Sequence, residues 1–251
     1  MVGIPRPELR DAARAWLGDS PQGAATARLR AGLEDFLANR YAGAADHLKQ
    51  VHAIRRRYFG DDRTVSSLND GTPGPWDEGT LDAAASASAP VEQGRLLFHL
   101  VRAFHPDRVL ELGTNIGISA CYLGLGLRYG SCGRLITVEA SGARLQLARQ
   151  ILDEVGLTDV EAIEGYFDQV LPDLLDRLGT VELAFLDGNH QLDATMRYFD
   201  LLRPHMPSGS LMILDDIRWS EDMLDAWGRV SSSPEVSAVA DLGRTGLLVM
   251  G

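Results

Sequence analysis

The sequence predicts an α/β protein with a doubly wound, mostly parallel, seven-stranded sheet that follows an N-terminal helical extension. Three observations predict this fold. From residue 108 onward, apolar runs of strand length alternate with segments of helical periodicity, as in α/β sheets. The first run leads into a turn that carries Gly113 and Gly117. Two final apolar runs with no helix between them predict an antiparallel hairpin at the end of the sheet.

The N-terminal extension, residues 1–89, is predicted to be mainly helical. Residues 7–20 and 24–59 carry apolar side chains at helical spacing. Residues 60–80 are rich in Gly, Pro and Asp, and they predict a loop that is either a plain linker or a lid anchored by Trp76. The extension as a whole either covers a substrate pocket or builds a homodimer interface, and the sequence leaves both open.

Residues 90–251 are predicted to form the main domain. The Ala/Ser-rich stretch 81–90 allows a helix before it, and the helix over 91–105 stops at Pro106. The predicted strands are 108–112, 134–139, 159–163, 181–187, 209–215, 235–241 and 245–250. The predicted helices between them are 117–129, 141–155, 168–178, 190–203 and 219–231.

The composition and charge of the chain argue against some classes of partner and location. The chain has 251 residues, 45% of them apolar, and a net charge of −11. Because the whole acidic excess lies after His105, on the half with the glycine turn, a nucleic-acid partner is not expected. No apolar stretch is long enough to cross a membrane, and Cys121 and Cys132 match no paired metal-ligand spacing. A reduced, cytoplasmic location is therefore predicted.

The glycine turn indicates a cofactor site but not a nicotinamide site. A dinucleotide fingerprint needs glycines at its first, third and sixth places, which hold Gly113, Asn115 and Ile118. No G-K-[ST] follows, so a phosphate-binding P-loop is excluded as well. What remains is an acidic residue, Glu111, followed by Gly-x-x-x-Gly. A strand–glycine–helix corner of another α/β protein has a similar pattern.

The ends of the predicted strands carry carboxylates, and ligands of doubly wound sheets bind at these ends. Glu139 ends the second strand, where it either accepts the two hydroxyls of a ribose or only favours a helix N-terminus. Asp187 ends the fourth strand, and Asp215 and Asp216 end the fifth. Such oxygen ligands suit a divalent cation such as Mg²⁺, although Asp215 or Asp216 is equally able to cap the next helix.

Three segments carry a resemblance to a known family: L-E-L-G-T-N-I-G-I-S at 110–119, D-G-N-H at 187–190 and D-D-I-R-W-S at 215–220. Together with the strand–helix order, they resemble class I S-adenosylmethionine-dependent methyltransferases. The resemblance is closest to the small-molecule O-methyltransferase-like group and to a bacterial branch of it. It implies methyl transfer from S-adenosylmethionine to a small-molecule acceptor, most simply to a hydroxyl.

The resemblance also implies roles for residues. The cofactor contacts would be Glu111, Gly113, Thr114, Asn115, Gly117, Ser119, Glu139, Ala140, Tyr166, Phe167 and Asp187. In metal-dependent relatives, the positions of Asp187, Asp215 and Asp216 bind the metal. Some relatives place a catalytic aspartate where this chain has Asn189, which leaves His190, beside Asp187, as the candidate base.

Two other functions stay open from the sequence. A catalytically silent binding or regulatory protein would keep the cofactor pocket, and Asn189 motivates this alternative. A nicotinamide-dependent enzyme on a similar sheet is disfavoured by the missing third glycine.

The resemblance implies that the corner after the third strand, residues 166–168, lies against the adenine of the cofactor. In one interpretation, Tyr166 or Phe167 stacks on the adenine and Asp168 accepts a hydrogen bond from its amino group. In the other, Phe167 belongs to the core and Asp168 caps the next helix.

Overall fold

The computed structural model describes residues 8–68 and 79–251. The strands are β1 (Arg108–Leu112), β2 (Arg134–Glu139), β3 (Glu161–Glu164), β4 (Leu183–Leu186), β5 (Leu211–Leu214), β6 (Val236–Leu242) and β7 (Thr245–Met250). The helices before the sheet are α1 (Leu9–Asp19), α2 (Ala24–Leu37), α3 (Ala45–Arg57), α4 (Leu81–Ala87) and α5 (Val91–Phe104). The helices between strands are α6 (Ile118–Gly130), α7 (Gly142–Glu154), α8 (Phe167–Leu178), α9 (Leu192–Leu202) and α10 (Glu221–Ser231).

The strands form one seven-stranded sheet in the order β3-β2-β1-β4-β5-β7-β6. Strands β1 to β5 are parallel, and β7 runs antiparallel between β5 and β6. The predicted doubly wound sheet and its closing hairpin are therefore confirmed. Because the strand order reverses between β1 and β4, a crevice opens at their carboxyl ends, which is where such sheets bind ligands.

The stretch 24–59, predicted to be mostly helical, consists of the two helices α2 and α3. The connection between α2 and α3 contains Asn39, Ala42 and Gly43 with φ values of 53°, 46° and 86°. Left-handed residues cannot continue a right-handed helix, so the chain must turn there. The Ala/Ser-rich stretch does form a helix, α4. The proposed lid anchor, Trp76, lies outside the described residues.

The N-terminal helices share the core of the sheet. Leu29, Leu33 and Phe36 of α2 are fully buried, and α2 packs against α5. The indole of Trp16 on α1 donates a 2.7 Å hydrogen bond to the carbonyl of Val239 on β6. One apolar cluster thus runs from the extension to the face of the sheet that α5 and α6 cover. The split at residue 89 stays a prediction, but the packing crosses it.

Candidate active site

A cavity of about 550 Å³ opens at the carboxyl ends of β1, β2 and β4. It lies at the reversal of strand order, and its size falls within the range of roughly 300–1,000 Å³ typical of ligand pockets. Its lining consists of Ala87, Ser88, Gly113, Thr114, Asn115, Ser119, Glu139, Ala140, Arg144, Tyr166, Phe167, Asp168, Asp187, Gly188, Asn189, His190, Gln191 and Tyr198. Nine of the eleven predicted cofactor contacts are in this lining, and their contact with a cofactor stays a prediction.

Gly113 lets the end of β1 approach the end of β4. Its φ is +105°, and a Cβ built there would lie 2.0 Å from the carbonyl oxygen of Asp187. Any other residue would therefore push the two strand ends apart. The amide of Gly113 donates to the carbonyl of Val138 on β2, at 3.0 Å. The glycine holds three strand ends together under the cavity.

Asn115 connects the glycine turn with the N-terminal extension. Its backbone is left-handed, with φ of 48°, a conformation that Asn tolerates better than most residues. Its Nδ2 donates to the carbonyl of Ala84, at 2.8 Å, and to Oγ of Ser88, at 3.2 Å. Within the described residues its Oδ1 is buried and has no hydrogen-bond partner. The side chain of Asn115 therefore ties the glycine turn to the end of α4.

Glu139 is held by two backbone amides at the end of β2. Its Oε2 accepts from the amide of Asn115 at 2.8 Å, and its Oε1 accepts from the amide of Ser141 at 3.0 Å. A carboxylate has about four acceptor sites, so each oxygen keeps capacity for a hydroxyl of a ligand. The amides fix the orientation of the carboxylate before any ligand arrives.

Two predicted cofactor contacts, Glu111 and Gly117, lie outside the cavity lining, and their contact with a cofactor stays a prediction. Glu111 is fully buried below the turn, and its Oε2 accepts a 2.6 Å hydrogen bond from the hydroxyl of Thr137. Gly117 precedes α6 with φ of +83°, and a Cβ there would lie 3.0 Å from that of Ala148. Alternation along β1 places Glu111 on a covered face, and Gly117 serves the packing of α6 on α7.

Burial changes the acid–base behaviour of Glu111. The loss of solvation raises its pKa to about 7, and the hydrogen bonds from Ser119 and Thr137 counteract this only in part. The neutral carboxyl is therefore the form that this position favours at acidic and neutral pH. Its place below the cavity makes it a structural neighbour of the site and not part of its lining.

The corner after β3 places aromatic side chains at the cavity. Tyr166 is 45% exposed, and Phe167 contacts Gly188 and meets the ring of Tyr198 edge-on, with centroids 5.5 Å apart. Asp168 forms an ion pair with Arg197 at 3.2 Å. The helix-cap alternative for Asp168 is wrong, because Tyr166 is the N-cap of α8 and Asp168 lies in its first turn.

Asp187 and His190 lie together at one end of the cavity. The Nε2 of His190 is 3.7 Å from Oδ1 of Asp187 and 4.0 Å from Oδ2 of Asp216. Burial raises the pKa of Asp187 well above its ordinary range, and the charge of Asp215 raises it further. The cap of α9 is at Gln191, so His190 is not a helix cap. The exposed indole of Trp219 lies 6.4 Å from the imidazole, between ring centroids.

The predicted metal site at Asp187, Asp215 and Asp216 does not fit the geometry. Asp215 is fully buried, and both of its oxygens accept hydrogen bonds from the guanidinium of Arg244. The described part of the chain contains no group of three or more His, Cys, Asp or Glu side chains arranged to hold a metal ion. The cap alternative is wrong as well, because Ser220 caps α10.

Known methyltransferases resemble this chain in sequence and in fold. Residues 110–217 match the family model described as a methyltransferase domain. A catechol O-methyltransferase of Mycobacterium tuberculosis is 29% identical over 185 residues, which cover 70% of this chain and 78% of the relative. Residues 110–217 therefore carry a methyltransferase domain, and the chain is similar to an O-methyltransferase over most of its length.

Other methyltransferases match over shorter segments or by fold. Catechol O-methyltransferase B of Danio rerio is 33% identical over 133 residues, so the chain spans only 48% of that relative. The S-adenosylhomocysteine-bound methyltransferase PaMTH1 of Podospora anserina has a TM-score of 0.60 at 15% identity, over 99% of this chain and 98% of that one. The O-methyltransferase TomG of Streptomyces achromogenes has a TM-score of 0.56 at 24% identity, over 78% and 99%. These structures support the methyltransferase fold.

Several residues of the candidate site had no role assigned from the sequence, among them Ser88, Gln93, Arg144 and Arg244. Ser88 and Arg144 line the cavity, and Gln93 and Arg244 bind Asp215. Ser88 and Gln93 precede β1, so nothing in their local sequence marks them. Arg244 had a detectable signal, because it follows the glycine of the hairpin turn that leads into β7. Where β7 pairs with β5, that turn must lie at the end of the sheet that holds Asp215.

The helices in the described ranges, 8–68 and 79–251, include none that combines the length and the apolar character needed to cross a bilayer.

Proposed function

We propose that this chain transfers the methyl group of S-adenosylmethionine to a hydroxyl of a small molecule. The observation that carries the proposal is Glu139, whose two oxygens are oriented by the amides of Asn115 and Ser141 at the wall of the cavity. This arrangement suits a pair of vicinal hydroxyls such as those of a ribose. A pocket with such an oriented carboxylate favours a nucleoside as its ligand, whereas an ordinary apolar pocket does not.

The residues around Glu139 fit the rest of the donor. Thr114 and Asn115 line the cavity beside Glu139, where the polar groups of S-adenosylmethionine would lie. Tyr166 and Phe167 present aromatic surface to an adenine, and Asp168 lies next to them. Gly113 keeps the floor of the cavity free of side-chain bulk.

The sulfonium of the donor supplies an electrophilic methyl group, so the protein has to align the acceptor and remove its proton. His190 is the group we assign to proton removal. Its Nε2 lies at the cavity, 3.7 Å from Oδ1 of Asp187 and 4.0 Å from Oδ2 of Asp216, and these two side chains would orient the imidazole toward the acceptor. Trp219 stands beside the imidazole and provides an apolar wall for the acceptor.

Two relatives are catechol O-methyltransferases by name, which supports an aromatic hydroxyl as the acceptor. A cytoplasmic location, a homodimer and the absence of a nucleic-acid partner stay predictions.

Calorimetric titration tests the donor site. Wild-type protein is expected to bind S-adenosylmethionine and S-adenosylhomocysteine but not NAD⁺. Glu139→Gln should weaken S-adenosyl binding about tenfold or more, because hydrogen bonds to a charged acceptor contribute about 1.5–3 kcal/mol. Glu164→Gln is the matched control, since Glu164 ends the neighbouring strand β3 and does not line the cavity. Equal affinities for the two variants would reject the role of Glu139, and absent S-adenosyl binding would reject the function.

Turnover tests His190. With catechol and simple phenols as acceptors, His190→Ala should lower the rate at least about tenfold without weakening donor binding, as expected for the loss of a general base. His205→Ala is the control, because His205 lies near the amino end of β4, at the opposite edge of the sheet. A His190→Ala rate equal to that of the wild type would contradict the assignment. Donor binding without turnover on any acceptor would favour the silent binding protein.

A further inference from the structure

The hairpin between β6 and β7 brings a cation to the aspartates after β5. Leu242 pairs with Thr245, so Gly243 and Arg244 form a two-residue turn. Gly243 has a φ of +84°, as the first position of such a tight turn requires in one of its common forms. The carbonyl of Arg244 accepts from the amide of Ile217 at 3.0 Å. The backbone thus fixes Arg244 beside the segment that carries Asp215 and Asp216.

The guanidinium of Arg244 occupies the position that a metal ion would need. Its Nε lies 3.0 and 3.1 Å from the two oxygens of Asp215, and its Nη2 lies 2.6 Å from Oδ2 of the same carboxylate. Nη2 also lies 3.3 Å from Oδ2 of Asp216. One planar cation therefore bridges the two carboxylates, in the fork-like geometry that arginine forms with them.

Gln93 completes the binding of Asp215. Its Nε2 donates to Oδ1 of Asp215 at 2.5 Å and lies 3.2 Å from the hydroxyl of Thr245. Gln93 and Asp215 are both buried. A divalent cation that bound Asp215 would have to displace the guanidinium and compete with the amide of Gln93. Burying Asp215 requires a compensating positive charge, and Arg244 already supplies it.

We infer that Arg244 is the built-in cation of this site, and that it replaces the divalent metal that the aspartates first suggested. Arg244 is a positioning residue: it holds Asp215 and Asp216 in place around His190 and Asp187. Methyl transfer then needs no divalent metal. A second hydroxyl on the acceptor, which could chelate a metal, should therefore not improve its binding or turnover. The part about turnover rests on the proposed function, whereas the part about metal binding does not.

Manganese binding tests the inference without any activity. The probe is Mn²⁺ alone, followed by the loss of its free-ion electron paramagnetic resonance signal and by the shift in melting temperature. Wild-type protein and Arg244→Lys, which keeps the charge, should neither bind Mn²⁺ nor melt at a higher temperature in its presence. Arg244→Ala should bind Mn²⁺ at least about tenfold more tightly than the wild type and melt at a higher temperature with it. Arg218→Ala, which removes an arginine from Asp241 on the same hairpin, is the matched control and should behave as the wild type.

Each outcome decides the inference. Stoichiometric Mn²⁺ binding by the wild type would overturn it, as would a folded Arg244→Ala variant that binds no more Mn²⁺ than the wild type. If Arg244→Ala folds only in the presence of Mn²⁺, the inference is supported. If it does not fold under either condition, the wild type and Arg244→Lys decide it by their Mn²⁺ binding. Where donor binding and turnover are measured, a loss of wild-type turnover in EDTA would also overturn it, whereas missing donor binding would reject only the proposed function.

Discussion

Glu111 shows how one residue of a motif can serve the fold and not the ligand. Its neighbours on β1, Leu110 and Leu112, point to the opposite face, where they pack beneath α8 and α9. Glu111 itself points to the face that α5 and α6 cover, and it is fully buried there. Its partner, the hydroxyl of Thr137, belongs to the neighbouring strand β2. The carboxyl thus links the first two strands below the cavity.

The pKa of Glu111 leads to a testable dependence of stability on pH. Its folded-state pKa of about 7 lies above the ordinary value of 4.5, so the folded chain binds this proton more tightly than the unfolded chain. The protonated carboxyl of Glu111 contributes to the free energy of unfolding, and this contribution is fully present below about pH 4.5. As the pH rises to about 7, the free energy of unfolding should fall by about 3 kcal/mol. Glu111→Gln cannot ionise. Chemical denaturation should therefore show the variant gaining stability relative to the wild type over this pH range.

The comparison variant for Glu111 is Glu164→Gln, because Glu164 is an exposed glutamate at the end of β3. This variant removes an exposed carboxylate and leaves the buried carboxyl of Glu111 in place, so it controls for the loss of one surface charge. A Glu111→Gln variant whose stability runs parallel to that of the wild type would show that the Glu111 carboxyl is not protonated in the folded chain.

At the scale of elements, the close packing of α5 and α6 depends on glycines that face the partner helix. A Cβ at Gly126 on α6 would lie 2.7 Å from Cβ of Val101 on α5, and one at Gly94 on α5 would lie 2.2 Å from the ring of Tyr122 on α6. Such distances are too short for real carbon atoms, so at these points the backbone of each glycine lies directly against a side chain of the partner helix. This contact fixes the position of α6, which begins directly after the glycine turn.

Alanine substitutions separate packing from helix propensity. Gly126→Ala should destabilise the protein by about 1–3 kcal/mol despite the better helix former, because the core must shift to admit the methyl group. Gly228→Ala on α10 should stabilise it by up to about 1 kcal/mol, since no atom lies within 4 Å of the added Cβ. Thermal or urea unfolding of both variants measures the difference. Equal effects would mean that α5 and α6 are not packed this closely.

At the scale of the whole molecule, one apolar core connects the N-terminal helices with the sheet. Buried residues of α2 and α3, among them Leu33 and Ile54, belong to the same cluster as Val109 and Phe185 of the central strands. The extension also reaches the cavity through Ala87 and Ser88. The helices before residue 90 therefore build part of the site. This packing agrees with a cover over the pocket and leaves their role in a dimer interface as a separate prediction.

The strand and helix order was predictable because it depends on local patterns. Mainly apolar segments mark most of the strands, and glycines and strand-end carboxylates mark several of the turns between them. The parallel order then brings the carboxyl ends together, so Gly113, Glu139 and Asp187 could be assigned to one site from the chain alone. The two final apolar runs likewise predicted the antiparallel hairpin of β6 and β7.

Contacts between distant residues were not predictable, because they depend on which way side chains point once the elements pack. Asp215 looked like a metal ligand until Arg244, 29 residues later, was found on both of its oxygens. Glu111 looked like a cofactor contact until its face of β1 was seen to be covered. Charge compensation and burial are properties of the packed chain, and they turned a predicted metal site into an arginine–aspartate cluster.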